Sequence, residues 1–369
     1  IVRNDWDKSK VALVSGGGSG HEPAHAGFVG KGLLTAAVCG DIFASPSVDA
    51  VLAGILSVTG DAGCLVIVKN YTGDRLNFGL AAERARMLGV KASMVVVDDD
   101  IALPDLPQAR GVAGTLFVHK IAGSLAEQGA DLDTITTAAQ RVIRATASIG
   151  MSLDTCTIPG SPKEQRIDLG RAELGLGIHG EPGVEQIDFD GALDAIKRVV
   201  DKLSTLMGNA PHVALLNNLG GATPIEMSIL ASELAKSSIA DKLKWIIGPA
   251  SLMTSLDMRG FSLSVLPVAS AEDEQALYAP VGPAAWPGMN SLASPVVLRL
   301  PDGLSPVKST PSEQPNRRAF IKDCCDLLIS SEAALNALDA KSGDGDTGST
   351  LAVAARAMIN ALDELPLAD

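Results

Sequence analysis

Segments 11–15, 33–39, 48–57, 64–69, 76–88, 93–97 and 114–128 alternate between short β-branched runs and helical stretches. Strands joined repeatedly by helices bury their apolar faces most simply in an α/β layered domain with a largely parallel sheet. A second segment begins near Met151, after the helix-like stretch 132–148, with strands expected at 173–178, 212–217 and 261–268. Its order is less regular, which reads as α+β. Between residues 301 and 317 the composition shifts to Pro, Ser, Lys and Gln, the mark of an extended linker. Beyond it, apolar residues recur at three- and four-residue spacing over 319–330, 331–340 and 349–362, with no strand signal. The expected organisation is therefore a first α/β lobe over 1–150, an α+β lobe over 151–300, a linker over 301–317 and an all-helical segment over 318–369. That last piece is too short for a confident core of its own, so the chain is expected to stop inside its final domain.

The chain has 369 residues and a hydrophobic fraction of 46%, enough for an ample core. No apolar run approaches the roughly 18 residues that a membrane helix needs. A net charge of -13 argues against nucleic acid as a partner, because such proteins concentrate Lys and Arg on one face. The 5 cysteines form no CxxC pair, and their odd number suits reduced thiols in a cytoplasmic protein. The chain opens on Ile1-Val2-Arg3-Asn4 without an initiator Met, so the first residues of the gene product are expected to be missing.

Four motifs carry chemistry. In Ser15-Gly16-Gly17-Gly18-Ser19-Gly20-His21-Glu22-Pro23, an apolar strand delivers an imidazole to what reads as a nearly bare loop. A dinucleotide fingerprint would need Gly where His21 stands, a P-loop would need its Gly-Lys-Ser/Thr ending, and a nucleophile elbow fails at the same histidine. What remains is a backbone that can approach a small polar ligand, with amides from Gly18, Ser19 and Gly20 and an acid/base group in His21. A structural histidine in a turn is the plainer alternative. The second motif, Lys69-Asn70-Tyr71-Thr72-Gly73-Asp74, follows an apolar strand, so Lys69 and Asp74 fall where open α/β sheets bind ligands, or else in a solvated turn. In the third, Glu173 to Gly183, glycines flank His179, whose neutral ring could attack a carbonyl carbon or simply hydrogen-bond.

The fourth, Leu338 to Thr350, holds Asp339, Asp344 and Asp346. Positions 344 and 346 would diverge by about 200° on a helix, so these carboxylates must converge from a loop between two helices. Hard oxygen donors suit Mg²⁺, and Thr347, Gly348, Ser349 and Thr350 open the next helix, where the macrodipole favours phosphate. An EF-hand is excluded because Ala355 stands where its closing Glu belongs, and a solvated acidic turn is the plainer alternative.

Together these motifs resemble the dihydroxyacetone (glycerone) kinases, in particular the single-chain ATP-dependent form that joins a substrate-binding K domain to a nucleotide-binding L domain. The resemblance runs from about Val11 to Leu300 for the K domain and from about Arg318 to the end for the start of an all-α L domain. It implies that His179 holds dihydroxyacetone, or D-glyceraldehyde, as a hemiaminal. It further implies that Gly18, Ser19, Gly20, His21, Lys69 and Asp74 bind the substrate, with His21 and Asp74 as the acid/base pair. Asp339, Asp344 and Asp346 match the Mg²⁺ ligands, and Thr347 to Thr350 the start of the ATP site. A cytoplasmic homodimer is the implied assembly. The K subunit of a phosphoenolpyruvate-dependent kinase, a lyase forming cyclic FMN from FAD, and a carbonyl-ligand sensor are the alternatives.

Overall fold

The period-two alternation of side chains along the first strands sets the layering of the protein, seen in a computed structural model that describes residues 1–103, 108–293, 296–301 and 309–368. The chain divides into two units, residues 1–295 and 296–369. In the first, β1 (Ala12–Ser19), β2 (Ala36–Ile42), β3 (Cys64–Lys69) and β4 (Ala92–Val97) form a parallel sheet of order β2-β1-β3-β4. Ala12, Val14, Val66 and Val68 face a cluster that includes Val51 and Ile55 of α1 (Val48–Val58) and Phe78 of α2 (Thr72–Met87). Leu13, Leu65 and Ile67 point the other way, onto Phe117 and Ile121 of α3 (Thr115–Glu127) and Ile135 and Val142 of α4 (Leu132–Ala145).

The second sheet contains β5 (Ala147–Ser152), β6 (Arg171–Leu174), β7 (Glu185–Asp188), β8 (His212–Asn218), β9 (Leu243–Ala250), β10 (Gly260–Pro267) and β11 (Met289–Ser291), in the order β11-β9-β8-β10-β5-β6-β7. Only the β8–β9 pair is parallel. Val213 and Leu215 join the cluster beneath α3 and α4, while Ala214 and Leu216 face α5 (Ala192–Ser204) and α6 (Pro224–Leu234). Helix α3 also packs on α7 (Ala271–Tyr278). The first unit is thus a parallel α/β layer and a mixed-sheet α+β layer sharing the α3–α4 helices, the two-lobed class that the sequence implies.

In the second unit, α8 (Pro315–Ser330), α9 (Glu332–Asp339) and α10 (Thr347–Ala361) pack together, with Cys325, Ala352 and Ala355 buried. Residues 302–308 of the expected linker lie outside the described residues, and α8 begins at Pro315, where the fixed φ of proline suits a first helical turn. Among the described residues, no helix is long and apolar enough to cross a membrane.

Two local expectations are corrected. The glycine run is strand rather than loop: β1 continues to Ser19, with Gly16 opposite Val38 and Gly17 opposite Cys39 of β2. The run is bare because neighbours crowd it. A side chain on Gly16 would overlap the Val38 carbonyl oxygen, and one on Gly18 would meet the Phe43 backbone at 2.7 Å. The strand expected over 173–178 stops at Leu174, because Gly175 takes φ +70° and turns the chain.

The parallel sheet also fixes where a ligand can sit. From β1 the chain moves to β2 on one side and then crosses back to β3 on the other. That reversal opens a crevice at the carboxyl ends of β1 and β3, the usual ligand position in such sheets. Replacing Gly16 with Ala should cost about 1–3 kcal/mol through overpacking against the β2 backbone. The measurement is urea unfolding beside Gly208→Ala, whose added methyl meets nothing within 4 Å and should leave the midpoint almost unchanged.

Candidate active site

Two imidazoles meet at this crevice. His21 follows β1, and His179 lies in the turn after β6; their ring centroids are 4.8 Å apart, edge to face. Tyr71 stands edge-on to His179 at 4.3 Å, and Phe43 stacks on His21 at 5.1 Å. Each histidine has one nitrogen engaged. His21 Nδ1 lies 2.8 Å from the Thr254 carbonyl oxygen, which can only accept, so the proton is on Nδ1 and Nε2 keeps its lone pair. His21 is fully buried, and its Nε2 has no partner among the described residues. Burial, then the charges of Lys69 and His179, push its pKa well below the usual imidazole range, so the ring is a neutral acceptor near pH 7.

His179 is oriented by Glu181. One carboxylate oxygen accepts from the His179 backbone N–H at 2.9 Å, and the other lies 3.2 Å from Nδ1. This assigns the proton to Nδ1 and leaves Nε2 free as a nucleophile. The turn itself is anchored on both sides: Ser255 Oγ donates to the Ile178 carbonyl at 2.7 Å, and Arg166 donates to the Gly180 carbonyl at 3.0 Å. Arg110 ties the Gly175 carbonyl to Asp100.

Lys69 and Asp74, at the end of β3 and in the first turn of α2, are both buried rather than in a solvated turn. They converge on the open face of Gly17: a Cβ there would stand 2.9 Å from Lys69 Nζ and 3.1 Å from Asp74 Oδ2. Burial lowers the Lys69 pKa, and the Asp74 carboxylate opposes that by favouring the ammonium. Of the other positions read from the sequence, Gly18 packs on Phe43, Ser19 Oγ donates to the Gly40 carbonyl, and the Gly20 amide donates to Glu22.

In the second unit, Asp339, Asp344 and Asp346 present one oxygen each within 4.8 Å of one another. Asp339 ends α9 and Asp346 is the N-cap of α10, so the turn between two helices brings them together. Asp339 Oδ2 accepts from the amides of Gly345 at 2.9 Å, Asp346 at 3.1 Å and Thr347 at 3.4 Å. A hydrogen bond that protonated Asp346 donates to Asp344, together with the negative charge of Asp344, raises the Asp346 pKa, repulsion that a divalent cation would relieve. The all-oxygen donor set fits Mg²⁺. Ser349 bonds Asn336 and Glu332, while Gly348 and Thr350 lie in the same first turn of α10.

Glu181, Thr254 and Tyr71 escaped the sequence reading. Glu181 had a signal, a carboxylate two residues after His179; Thr254 is 233 residues from His21 and had none.

A Dak1 domain model matches residues 1–285. The chain is 50% identical over 377 residues to the dihydroxyacetone kinase of Citrobacter freundii, covering 100% of this chain and 67% of that protein. It is 41% identical over 397 residues to human triokinase/FMN cyclase, covering 99% and 67%. The crystal structure of the C. freundii dihydroxyacetone kinase in complex with AMP-PNP and Mg²⁺ superposes with a TM-score of 0.81 at 49% identity, covering 100% of this chain and 69% of that one. The chain therefore spans about two-thirds of the length of these relatives.

Glu181 also makes an acid-range prediction. Burial alone would raise its pKa; hydrogen bonds from the His179 ring and from the local backbone amides outweigh burial and take it to about 2. A carboxyl ionised more readily in the folded state adds stability above its unfolded pKa, near 4.5, and loses it as pH falls toward 2. Glu181→Gln should flatten that part of the stability curve and leave stability at pH 7 lower, as measured by urea midpoints across pH.

Proposed function

Because the chain belongs to the dihydroxyacetone kinase family, we propose that it phosphorylates a hydroxyl of dihydroxyacetone, and of D-glyceraldehyde, from ATP with Mg²⁺, holding the carbonyl compound as a hemiaminal on His179. The observation that carries this reading is the free Nε2 of His179, set by Glu181 beside His21. Attack of Nε2 on the carbonyl carbon forms an N–C bond as the C=O π bond opens. The alkoxide takes up one proton from solvent while the Nδ1 proton leaves to solvent by way of Glu181, so the proton count is unchanged, nothing else leaves and the added mass is that of the substrate. His21 Nε2 and Asp74 serve as the acid/base pair for the free hydroxyl, and Lys69 with the Gly18–Gly20 backbone holds the remaining oxygens. Glycerol has no carbonyl and escapes capture, so covalency acts as the filter. Fixing the hydroxyl in this way gives the advantage of an intramolecular reaction, with effective molarities of about 10⁵–10⁸ M in well-oriented cases.

Asp339, Asp344 and Asp346 would hold Mg²⁺, and Thr347 to Thr350 would take the phosphates. A metal held by these carboxylates would supply positive charge to offset that on the transferring phosphoryl group. The presence of this acidic turn on the same chain favours ATP over phosphoenolpyruvate as donor. Five free thiols suit the cytoplasm, and a homodimer is the assembly that the family resemblance implies. A second reading comes from the name of the human relative, triokinase/FMN cyclase: incubation with FAD and Mn²⁺ would yield cyclic FMN if this chain's full protein shared that activity.

Intact-protein mass spectrometry with dihydroxyacetone tests the central claim. One substrate mass should be added to the wild-type chain and none to His179→Ala; a folded wild type without adduct would overturn the hemiaminal. The acidic turn is tested by Mn²⁺ binding, read by electron paramagnetic resonance. Asp339→Ala and Asp344→Ala should both weaken binding, but only Asp339→Ala should also lower the melting temperature, because only Asp339 caps the α10 amides.

A further inference from the structure

Behind the crevice lies a buried group that no step above uses. His25 sits four residues after His21, is 3% exposed, and places Nε2 3.0 Å from Lys69 Nζ, itself 1% exposed. An ammonium has only donors, so His25 Nε2 accepts and the His25 proton is on Nδ1. His119 of α3 stands edge-on to the His25 ring at 5.1 Å and is fully buried. Neither His119 nitrogen has a partner among the described residues, and neither has His25 Nδ1. The pocket around Lys69 therefore offers two groups: the Asp74 carboxylate for charge and His25 Nε2 as a directed acceptor.

We propose that His25 is a positioning residue for the substrate site, fixing the Lys69 ammonium at the open face of Gly17. The inference rests on the reading of this crevice as the dihydroxyacetone site. A buried ammonium is costly unless its donors are taken up, and a flexible four-carbon stem needs a second anchor besides an opposite charge to hold one rotamer. Burial also keeps His25 neutral, which its role as acceptor requires. An acceptor in the place of Nε2 is what matters, and the ring is otherwise replaceable.

The experiment is calorimetric titration of the chain with dihydroxyacetone, with melting temperature confirming each variant as folded. His25→Gln, whose amide oxygen reaches near the Nε2 position, should bind within about threefold of wild type, whereas His25→Asn and His25→Leu should bind about tenfold more weakly or worse. In a Lys69→Met background, His25→Asn should add less than about threefold, because the two residues act as one unit. Wild-type affinity in folded His25→Asn, equal weakness in His25→Gln and His25→Asn, or full additivity with Lys69→Met would each overturn the proposal. If His25→Leu does not fold, the contrast between Gln and Asn decides. Binding by wild type without a covalent adduct would overturn the hemiaminal but leave this proposal standing. Absence of any binding to wild type would overturn the functional reading and this inference with it.

Discussion

An ammonium buried at the carboxyl end of a parallel strand is the constraint around which the first lobe is arranged. Lys69 ends β3 and is almost wholly shielded from water. Uncompensated, such a charge would cost several kcal/mol, of the order that destabilises a whole domain. The surrounding sequence supplies the compensation: Asp74 arrives in the first turn of α2, and Gly17 on the neighbouring strand leaves room for both side chains. The glycine run is thus a steric consequence of the charge pair on one side and of the β2 backbone on the other. Neither a wider sheet spacing nor a longer loop is required.

A charged lysine among imidazoles has a further consequence, since any histidine near it is discouraged from taking a second proton. His21 and His25 are both held neutral by burial and by Lys69. Their hydrogen bonds then decide which nitrogen is free. The Thr254 carbonyl accepts a hydrogen bond from His21 Nδ1, and Glu181 faces Nδ1 of His179. In the proposed reaction these two rings of identical chemistry would have different tasks: the carboxylate beside His179 would receive a proton as a bond forms at Nε2, whereas the carbonyl beside His21 could not, and would leave that ring as a base.

Much of this was legible in the sequence, and the limits of legibility have physical causes. Strand β3 is a continuous apolar run ending in Lys69 and reads without ambiguity. The second half of β1 reads as loop because Gly-Gly-Gly-Ser lacks side chains, and only the close approach of β2 explains its extended pairing. Strand β9 escaped the reading because Gly248 and Pro249 punctuate its end. Strand β5 escaped because Ala147, Ser148 and Gly150 carry little strand preference and follow a helix directly. At the site, His21 and His179 stood out through their glycine-rich surroundings and Lys69 and Asp74 through their place at the end of an apolar strand, while the contacts of His21 with Thr254 and of Lys69 with His25 depend on tertiary placement that spacing does not encode.

In the second unit, one carboxylate is shared between architecture and chemistry. Asp339 Oδ2 satisfies amides at the start of α10, donors that an exposed helix end would otherwise leave to water. One of its oxygens also lies within 4.8 Å of oxygens of Asp344 and Asp346. A cation bound there would therefore pull on the same group that organises the helix end, so order in the 340–347 turn and occupancy by metal become linked. Repulsion between Asp344 and Asp346 points the same way, because it penalises the closed turn most when no positive charge is present. The helix end that would receive phosphate is in this sense built by the carboxylate that would receive the metal. Separating the two functions requires a change at Asp344, which contributes charge but none of these capping bonds.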